Sequence, residues 1–215
     1  MLIRFADSRD GSALAAYLER LLHFDKTAAV RFVGVGPAAA AYTGPPFGGR
    51  PVLAVRLVGL APDTASFDVT VLAGKLLEGI SADDAQLLVP DTMVGGPSWA
   101  GLLPPRRGWT RLGLVSVRAL AGEAAQGNAD FRFRALGLDR AGLDALGEEI
   151  WSRPVAAVRD VDPDQPPLAL RAAHAAQALG FLGPDPDASA ELVQLARIGR
   201  WLRLDAPYGT VLQRD

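Results

Sequence analysis

Two tryptophans and two adjacent arginines lie in one Gly- and Pro-rich stretch, residues 95–109. Arginine offers paired donors to carboxylate or phosphate groups, and the indole ring offers a plane for stacking. Trp99, Arg106, Arg107 and Trp109 therefore predict a site for an anionic aromatic ligand, a nucleotide or a partner protein. The alternative is that both rings pack in the core while the arginines face water, because aromatic side chains are mostly buried.

The chain has only two histidines, so any histidine-based metal site or catalytic triad must use His23 or His174. His23 lies off the apolar stripe of its predicted helix. His174 shares the polar side of its helix with Arg171 and Gln177, which favours a solvated or interface position over catalysis. His174 is kept as a candidate ligand- or partner-binding residue.

The motifs of the common enzyme classes are missing from the sequence. There is no cysteine, which excludes disulfides, thiolate nucleophiles and cysteine-ligated clusters. Neither the zinc spacing H-x-x-x-H nor a phosphate-binding glycine loop occurs. Around Ser98 the second glycine comes one residue late for a nucleophile elbow. We therefore assign no catalytic residue, no metal and no cofactor, and leave open whether the protein is an enzyme.

Composition limits the choice of partner and compartment. The formal net charge is -2, with 49% hydrophobic and 21% charged residues. A chain without a global basic field makes nucleic acid an improbable partner, although a local basic patch stays open. No apolar run approaches the roughly 20 residues needed to cross a bilayer, and the start of the chain has no signal-peptide core. The sequence predicts a cytoplasmic protein that does not enter the membrane.

The first half of the chain predicts strands joined by short turns. A strand over 2–5 leads into a helix with N-cap oxygens at Asp7 and Ser8. An apolar stripe follows at helical spacing: Leu14, Tyr17, Leu18, Leu21 and Leu22. Further strands are predicted over 30–35, 52–60 and 67–73. Ser81 and Asp84 resemble a capping box that opens a short helix ending at Pro90.

The second half predicts a strand, three helices and a terminal hairpin. Their ranges are a strand over 109–115, helices over 117–134, 143–151 and 168–182, a linker over 160–167 and hairpin strands over 201–204 and 210–212. Short connections between strands favour antiparallel pairing. The sequence thus predicts one α+β domain over 1–215, with a mainly antiparallel sheet, helices packed on one face, and a C-terminal helix and β-hairpin. An alternative subdivision is a core over 1–159 with an extension over 168–215.

Several segments are similar, as a group, to a set of actinobacterial conserved hypothetical proteins of this length. They are GPPFG, PSWAGLLPPRRGW, EEIWSRP, LRAAHAAQALGFLG and WLRLDAPYGTVLQR. Arginine also far outnumbers lysine, which is present only as Lys26 and Lys75, a bias typical of high-GC genomes. The resemblance implies a protein of unknown function and carries over no catalytic residue.

Two functional hypotheses follow from these observations. The first is a non-enzymatic binding or assembly module that self-associates, as a homodimer, or binds a protein partner. The alternative is an enzyme or sensor that binds a small anionic ligand through the loop 95–109. Nucleic-acid binding through the same arginines ranks third because the net charge is slightly negative.

Overall fold

The computed structural model describes residues 1–47, 52–91, 95–101, 103–158 and 167–214. The chain divides into two compact units. Unit 1 comprises Met1–Pro45 and Leu53–Leu103, and unit 2 comprises Pro46–Val52 and Pro104–Asp215. The predicted linker over 160–167 and the glycine pair Gly48-Gly49 fall almost wholly outside the described residues. A single domain over 1–215 stays a prediction.

The main sheet of unit 1 has antiparallel strands in the order β5-β2-β3-β4. The strands are β2 Ala29–Val35, β3 Ala38–Thr43, β4 Val52–Gly59 and β5 Phe67–Leu72. Strands β2 and β3 form a tight hairpin, because Val35 pairs with Ala38 across Gly36 and Pro37. Gly36 has a φ of 59°, in the left-handed region that glycine enters without steric cost.

Helix α1, Ser8–Phe24, buries one apolar stripe in unit 1. Asp7 caps it by accepting a 2.7 Å hydrogen bond from the Arg9 amide, as the sequence predicted. Leu14, Leu18 and Leu21 are fully buried on the stripe. Tyr17 on the same face ties the helix to the sheet, because its hydroxyl lies 2.5 Å from Thr43 Oγ1 and donates at 3.2 Å to the Ala54 carbonyl. Burial raises the pKa of Tyr17, so the phenol stays neutral.

A second, three-stranded sheet of unit 1 corrects one prediction. Its order is β1-β7-β6, with β1 Leu2–Arg4, β6 Ile80–Ser81 and β7 Gln86–Leu88, preceded by a short helix α2, Ala73–Glu78. The helix predicted from Ser81 to Pro90 is wrong. The Ser81 hydroxyl donates to the Asp84 carboxylate at 2.6 Å, so this pair closes a turn between β6 and β7, whose backbone groups bond across the sheet.

The sheet of unit 2 is antiparallel in the order β11-β10-β9-β8. The strands are β8 Thr110–Ser116, β9 Leu192–Ile198, β10 Trp201–Ala206 and β11 Gly209–Arg214. The predicted C-terminal hairpin is confirmed as β10 and β11. Strand β9 was not predicted, because Gln194 and Arg197 interrupt its apolar pattern.

Three helices complete unit 2: α3 Val117–Arg134, α4 Arg140–Trp151 and α5 Leu170–Ala178. Helix α3 has the predicted bounds, whereas α5 is shorter than predicted and is followed by Gly180 with a φ of 74°. The helices approach closely at Gly127 of α3. A Cβ there would lie 2.8 Å from a methyl of Leu170 and 3.0 Å from the Trp151 ring.

Helices α3 and α5 contact β8 and β11, respectively. In both units helices therefore combine with antiparallel strands, and the predicted α+β class is confirmed.

The hydrogen bonds of Tyr17 generate a stability prediction. We expect Tyr17→Phe to lower the free energy of unfolding by about 1–2 kcal/mol, because the hydroxyl of Thr43 loses its buried partner. Urea denaturation followed by circular dichroism measures the change. In a double-mutant cycle with Thr43→Val the two losses should couple by about 1 kcal/mol. Strictly additive losses would show that the contact between the two hydroxyls stabilises nothing.

Candidate functional site: a tryptophan–arginine sheet face

The first part of the predicted loop lies in unit 1, where residues 98–101 form a 3-10 turn. Trp99 is half-buried and packs against Gly44, where an added Cβ would lie 2.7 Å from the indole nitrogen. Glycine at position 44 therefore makes room for the ring. Trp99 fills space beside the sheet, while Ser98 is exposed in the turn.

Arg31 on β2 holds this turn against the sheet. Its guanidinium makes a paired contact with Asp68 on β5, at 2.8 Å from Nε to Oδ1 and 2.6 Å from Nη2 to Oδ2. Its Nη1 donates to the Ala100 carbonyl. A shallow depression of about 390 Å³ lies beside it. The Asp68 carboxylate and the Ala100 carbonyl accept hydrogen bonds from the guanidinium nitrogens of Arg31. Arg31 therefore ties the turn to the sheet and does not form an open anion site.

The second part of the loop lies in unit 2 and ends at Trp109. The indole nitrogen of Trp109 donates to the Pro105 carbonyl at 2.9 Å, which closes the turn that carries Arg106 and Arg107. Both arginines are exposed, and neither forms an ion pair with any residue that the structure describes. The guanidinium carbon of Arg203 lies 4.7 Å from the centre of the Trp109 ring, a cation–π contact.

Strand register places further arginines and a tryptophan on the same side as Trp109. Arg111 on β8 pairs with Ala196 on β9, and Ala196 pairs with Arg203 on β10. Directly paired residues of antiparallel strands share a face, so Arg111 and Arg203 lie in one row across the sheet. Trp201, two residues before Arg203, lies on that face too, because side chains alternate along a strand.

Arg214 completes this row of planar side chains. It pairs with Trp201 across β10 and β11, and its guanidinium carbon lies 5.8 Å from the centre of the Trp201 ring. We call these five side chains the Trp–Arg face: Trp109, Arg111, Trp201, Arg203 and Arg214. The opposite side of β10 carries Leu202 and Leu204, which are 1% and 0% exposed.

The Trp–Arg face carries a surplus of positive charge. Arg203 forms an ion pair with Asp205, with 2.9 Å between Nε and Oδ2. Arg111 is exposed and Arg214 is half-buried, and neither has a carboxylate partner among the described residues. The face can therefore accept an anion next to two aromatic planes.

His174 lies in a different cluster of unit 2. Its ring stacks on Trp151 with centroids 4.4 Å apart, and Phe47 meets it edge-on at 4.7 Å. Its Nδ1 is buried and has no hydrogen-bond partner among the described residues. Burial lowers the pKa of His174 from 6.5 to about 4, because an apolar environment disfavours the charged imidazolium. The side chain is neutral at physiological pH.

Most charges on the helices of unit 2 neutralise one another. Arg134 and Arg153 both bind Glu149, at 2.6 and 2.9 Å, and Arg153 also binds Asp130 at 2.7 Å. The two guanidinium groups lower the pKa of Glu149 to about 2. Arg171, only 2% exposed, binds Glu148 at 2.9 Å. These groups stabilise the packing of α3, α4 and α5.

Within the described parts of the chain, no cluster of three or more acidic or imidazole side chains is arranged to hold a metal ion. No described helix is long and apolar enough to span a membrane.

Comparison with protein families divides the chain between residues 101 and 104, at the boundary between Leu103 of unit 1 and Pro104 of unit 2. Residues 104–215 match a domain of unknown function, DUF8185. This match covers more than half of the sequence. The chain belongs to the DUF8185 family. Residues 1–101 match a second domain of unknown function, DUF8010. A search of functionally curated proteins found no match.

Solved structures share the fold of this DUF8185 protein. One is the DNA polymerase sliding clamp from Pseudomonas aeruginosa with ligand, at a TM-score of 0.54 and 12% identity, over 100% of this chain and 64% of the clamp chain. Another is Caulobacter crescentus pol III beta, at 0.52 and 11%, over 100% of this chain and 65% of that one. This chain thus spans less than two thirds of either neighbour. At such identities the likeness shows the fold alone.

The neighbours correct one prediction about partners. Nucleic acid was judged improbable from the net charge, and this judgement is contradicted by a fold shared with DNA polymerase sliding clamps. The physical reason is that a net charge of -2 averages over the whole chain. The average hides the local positive charge of the arginines that strand pairing brings together on one face.

The sequence stretch 95–109 contained only part of this surface. Trp109 is part of the Trp–Arg face and Arg106 and Arg107 come just before it in the chain, whereas Trp99 belongs to unit 1 and His174 to the Trp151 cluster. The sequence analysis missed Arg111, Arg214, Trp201 and Arg203. The alternation of Trp201, Leu202, Arg203 and Leu204 could have revealed the last two, since it predicts a strand with one apolar and one Trp/Arg side.

The environment of His174 generates a pH prediction. The unfolded chain protonates this imidazole below about pH 6.5, while the folded protein resists protonation until about pH 4. The unfolded state therefore binds more protons across this window, and stability falls as the pH is lowered. We expect His174 to account for a loss of about 2 kcal/mol between about pH 7 and pH 5, measured by urea denaturation.

His174→Phe keeps an aromatic ring beside Trp151 and should flatten this pH dependence. His23, exposed on α1, provides the control, and His23→Gln should leave the pH dependence unchanged. Equal slopes for the wild type and His174→Phe would contradict the assignment.

Proposed function

We propose that this protein is a non-enzymatic binding and assembly module. The observation that supports this most is the fold, which the chain shares with a protein named as a DNA polymerase sliding clamp and with one named as pol III beta. A clamp, by its name, holds another molecule and need not transform it. The described residues are consistent with such a role, since their buried ionisable groups serve packing.

The partner we propose first is a second copy of the chain. Strand β5 forms one edge of the unit 1 sheet, and no described strand bonds to its outer side. It pairs with β2 in unbroken register over six residues, from Phe67 to Leu72. A regular edge strand offers unused amide and carbonyl groups to a neighbouring strand. Antiparallel pairing of β5 with its own copy would give a twofold-symmetric dimer.

Side chains at this edge suit a close approach of two copies. The charge of Asp68 is balanced by Arg31, so two such edges do not repel each other strongly. Leu72 at the end of β5 is 39% exposed, and the second copy would bury more of its side chain. Arg31 also links Asp68 on β5 to Ala100 in the turn 98–101, so the position of β5 is fixed relative to that turn.

The alternative function, an enzyme or sensor for a small anion, rests on Arg106 and Arg107. Both are exposed and form no ion pair with a described residue. The depression on unit 1 does not provide a comparable anion site, because its arginine, Arg31, already binds Asp68 and Ala100. A thermal-shift screen with phosphate metabolites tests this alternative, since binding at 100 times Kd stabilises by about 2.7 kcal/mol. A shift that survives Arg106→Ala would contradict it.

We also propose an actinobacterial source and a cytoplasmic location. The excess of arginine over lysine and the composition without cysteine support both proposals.

The dimer proposal gives a direct experiment. We expect light scattering coupled to size exclusion to give about twice the chain mass of 22.6 kDa. Leu72→Lys places two cations at the paired edge and should weaken the dimer at least about tenfold in Kd. Leu57, 62% exposed on β4, supplies the matched control, and Leu57→Lys should leave the mass unchanged. A monomer at every concentration tested, or equal weakening by both variants, would overturn β5 pairing.

A further inference from the structure

The five planar side chains of the Trp–Arg face surround the buried Leu212 and Ala196, which pair with Arg203 on the same side of the sheet. Trp109 and Trp201 contribute indoles, and Arg203 and Arg214 contribute guanidinium groups that lie 4.7 and 5.8 Å from the indole centres. A planar guanidinium can make such a contact with an indole ring and still donate hydrogen bonds from its edge, whereas a lysine ammonium has no plane to stack.

We propose that the Trp–Arg face binds single-stranded nucleic acid. Unpaired bases stack on aromatic rings and on guanidinium planes, while arginine donors bind the phosphates between them. Neither the arginines alone nor the aromatic rings alone would specify single-stranded nucleic acid as the ligand. A purely basic surface would bind any polyanion, and a purely aromatic one would bind apolar groups. Their alternation on one face matches a polymer that alternates bases and phosphates.

The charge of the face is complementary to a phosphate backbone. Arg111 and Arg214 have no described carboxylate partner, and Asp205 balances only Arg203. Arg106 and Arg107 extend the positive charge just before Trp109. Elsewhere in unit 2 the helix arginines Arg134 and Arg153 are neutralised by acidic neighbours. The chain is thus slightly acidic overall, yet four arginines without a described carboxylate partner lie on or just before the Trp–Arg face.

The shape of the face favours single strands over a duplex. Reading a duplex in its major groove requires a helix or a two-stranded ribbon that enters the groove. The four strands β8–β11 form a broad sheet, and Trp201 and Arg203 lie within it on β10. In a duplex the bases are stacked on one another and cannot reach these rings. In a single strand they turn outward and stack on the protein.

This proposal is independent of self-association through β5. The face is built by unit 2 alone, and all five of its side chains come from residues 109–214. A monomeric protein would therefore still bind, and a dimer without nucleic-acid affinity would refute only this proposal.

Fluorescence anisotropy of a labelled thymidine oligonucleotide of about 20 nucleotides, with the full chain, tests the proposal. We expect saturable binding at about 50 mM salt, with quenching of tryptophan fluorescence as bases stack. The logarithm of the affinity should fall with the logarithm of salt with a slope of about -2 to -3, as three or four phosphate contacts require. A duplex of the same length should bind at least about tenfold more weakly.

Paired variants with the same loss of charge locate the site. Arg111→Gln combined with Arg214→Gln should weaken binding at least about tenfold and reduce the salt slope by about 1 or more. Arg118→Gln combined with Arg132→Gln removes two exposed arginines from α3 and should change the affinity less than about twofold. Trp201→Leu removes one of the two indoles of the face and should reduce the fluorescence quenching and weaken binding relative to the wild type. Thermal unfolding confirms that each variant is folded, and Arg111→Gln alone replaces the double variant if that one is not.

Three results would overturn the proposal. They are the absence of binding at low salt, equal weakening by the two double variants, and binding of inorganic polyphosphate or of the duplex as tight as that of the single strand. The last would identify a general polyanion surface in which the tryptophans play no part.

Discussion

The alternation of side chains along β10 is the constraint on which the candidate site depends. A strand sends successive side chains to opposite faces. Leu202 and Leu204 are buried in the core of unit 2, so Trp201 and Arg203 must lie on the other side. A slip of one residue would bury an arginine without a partner, which costs several kcal/mol, and would expose two leucines. The hydrophobic core therefore fixes the position of the Trp–Arg face.

Neighbouring strands extend the same constraint across the sheet. Pairing with β9 aligns Ala196 with Arg203, and the small Ala196 side chain leaves room for the guanidinium and indole planes above it. Pairing with β11 places Arg214 opposite Trp201. The cation–π contacts then restrict the long arginine side chains, so part of the entropy cost of binding a ligand is already met in the free protein.

Electrostatics divides the arginines of this chain into two groups. Arg31, Arg134, Arg153 and Arg171 bind carboxylates within the fold and tie elements together. Arg106, Arg107, Arg111 and Arg214 have no such described partners and lie on or just before the Trp–Arg face, where they are available to an external anion. Composition cannot separate the two groups, since both contribute equally to a net charge.

The sequence by itself determined the fold class, the apolar stripe and cap of α1, the bounds of α3 and the terminal hairpin, because these follow from local periodicity and turn chemistry. It predicted a helix over residues 81–90, where a Ser/Asp pair typical of a helix cap instead closes a turn between strands. It also missed strand β9, because polar residues interrupt the apolar pattern of that strand. Only the tertiary structure decided which arginines are neutralised. It also decided that Trp109 meets Arg203, which lies 94 residues further along the chain. Such contacts arise from strand register, which depends on how distant segments pack against one core.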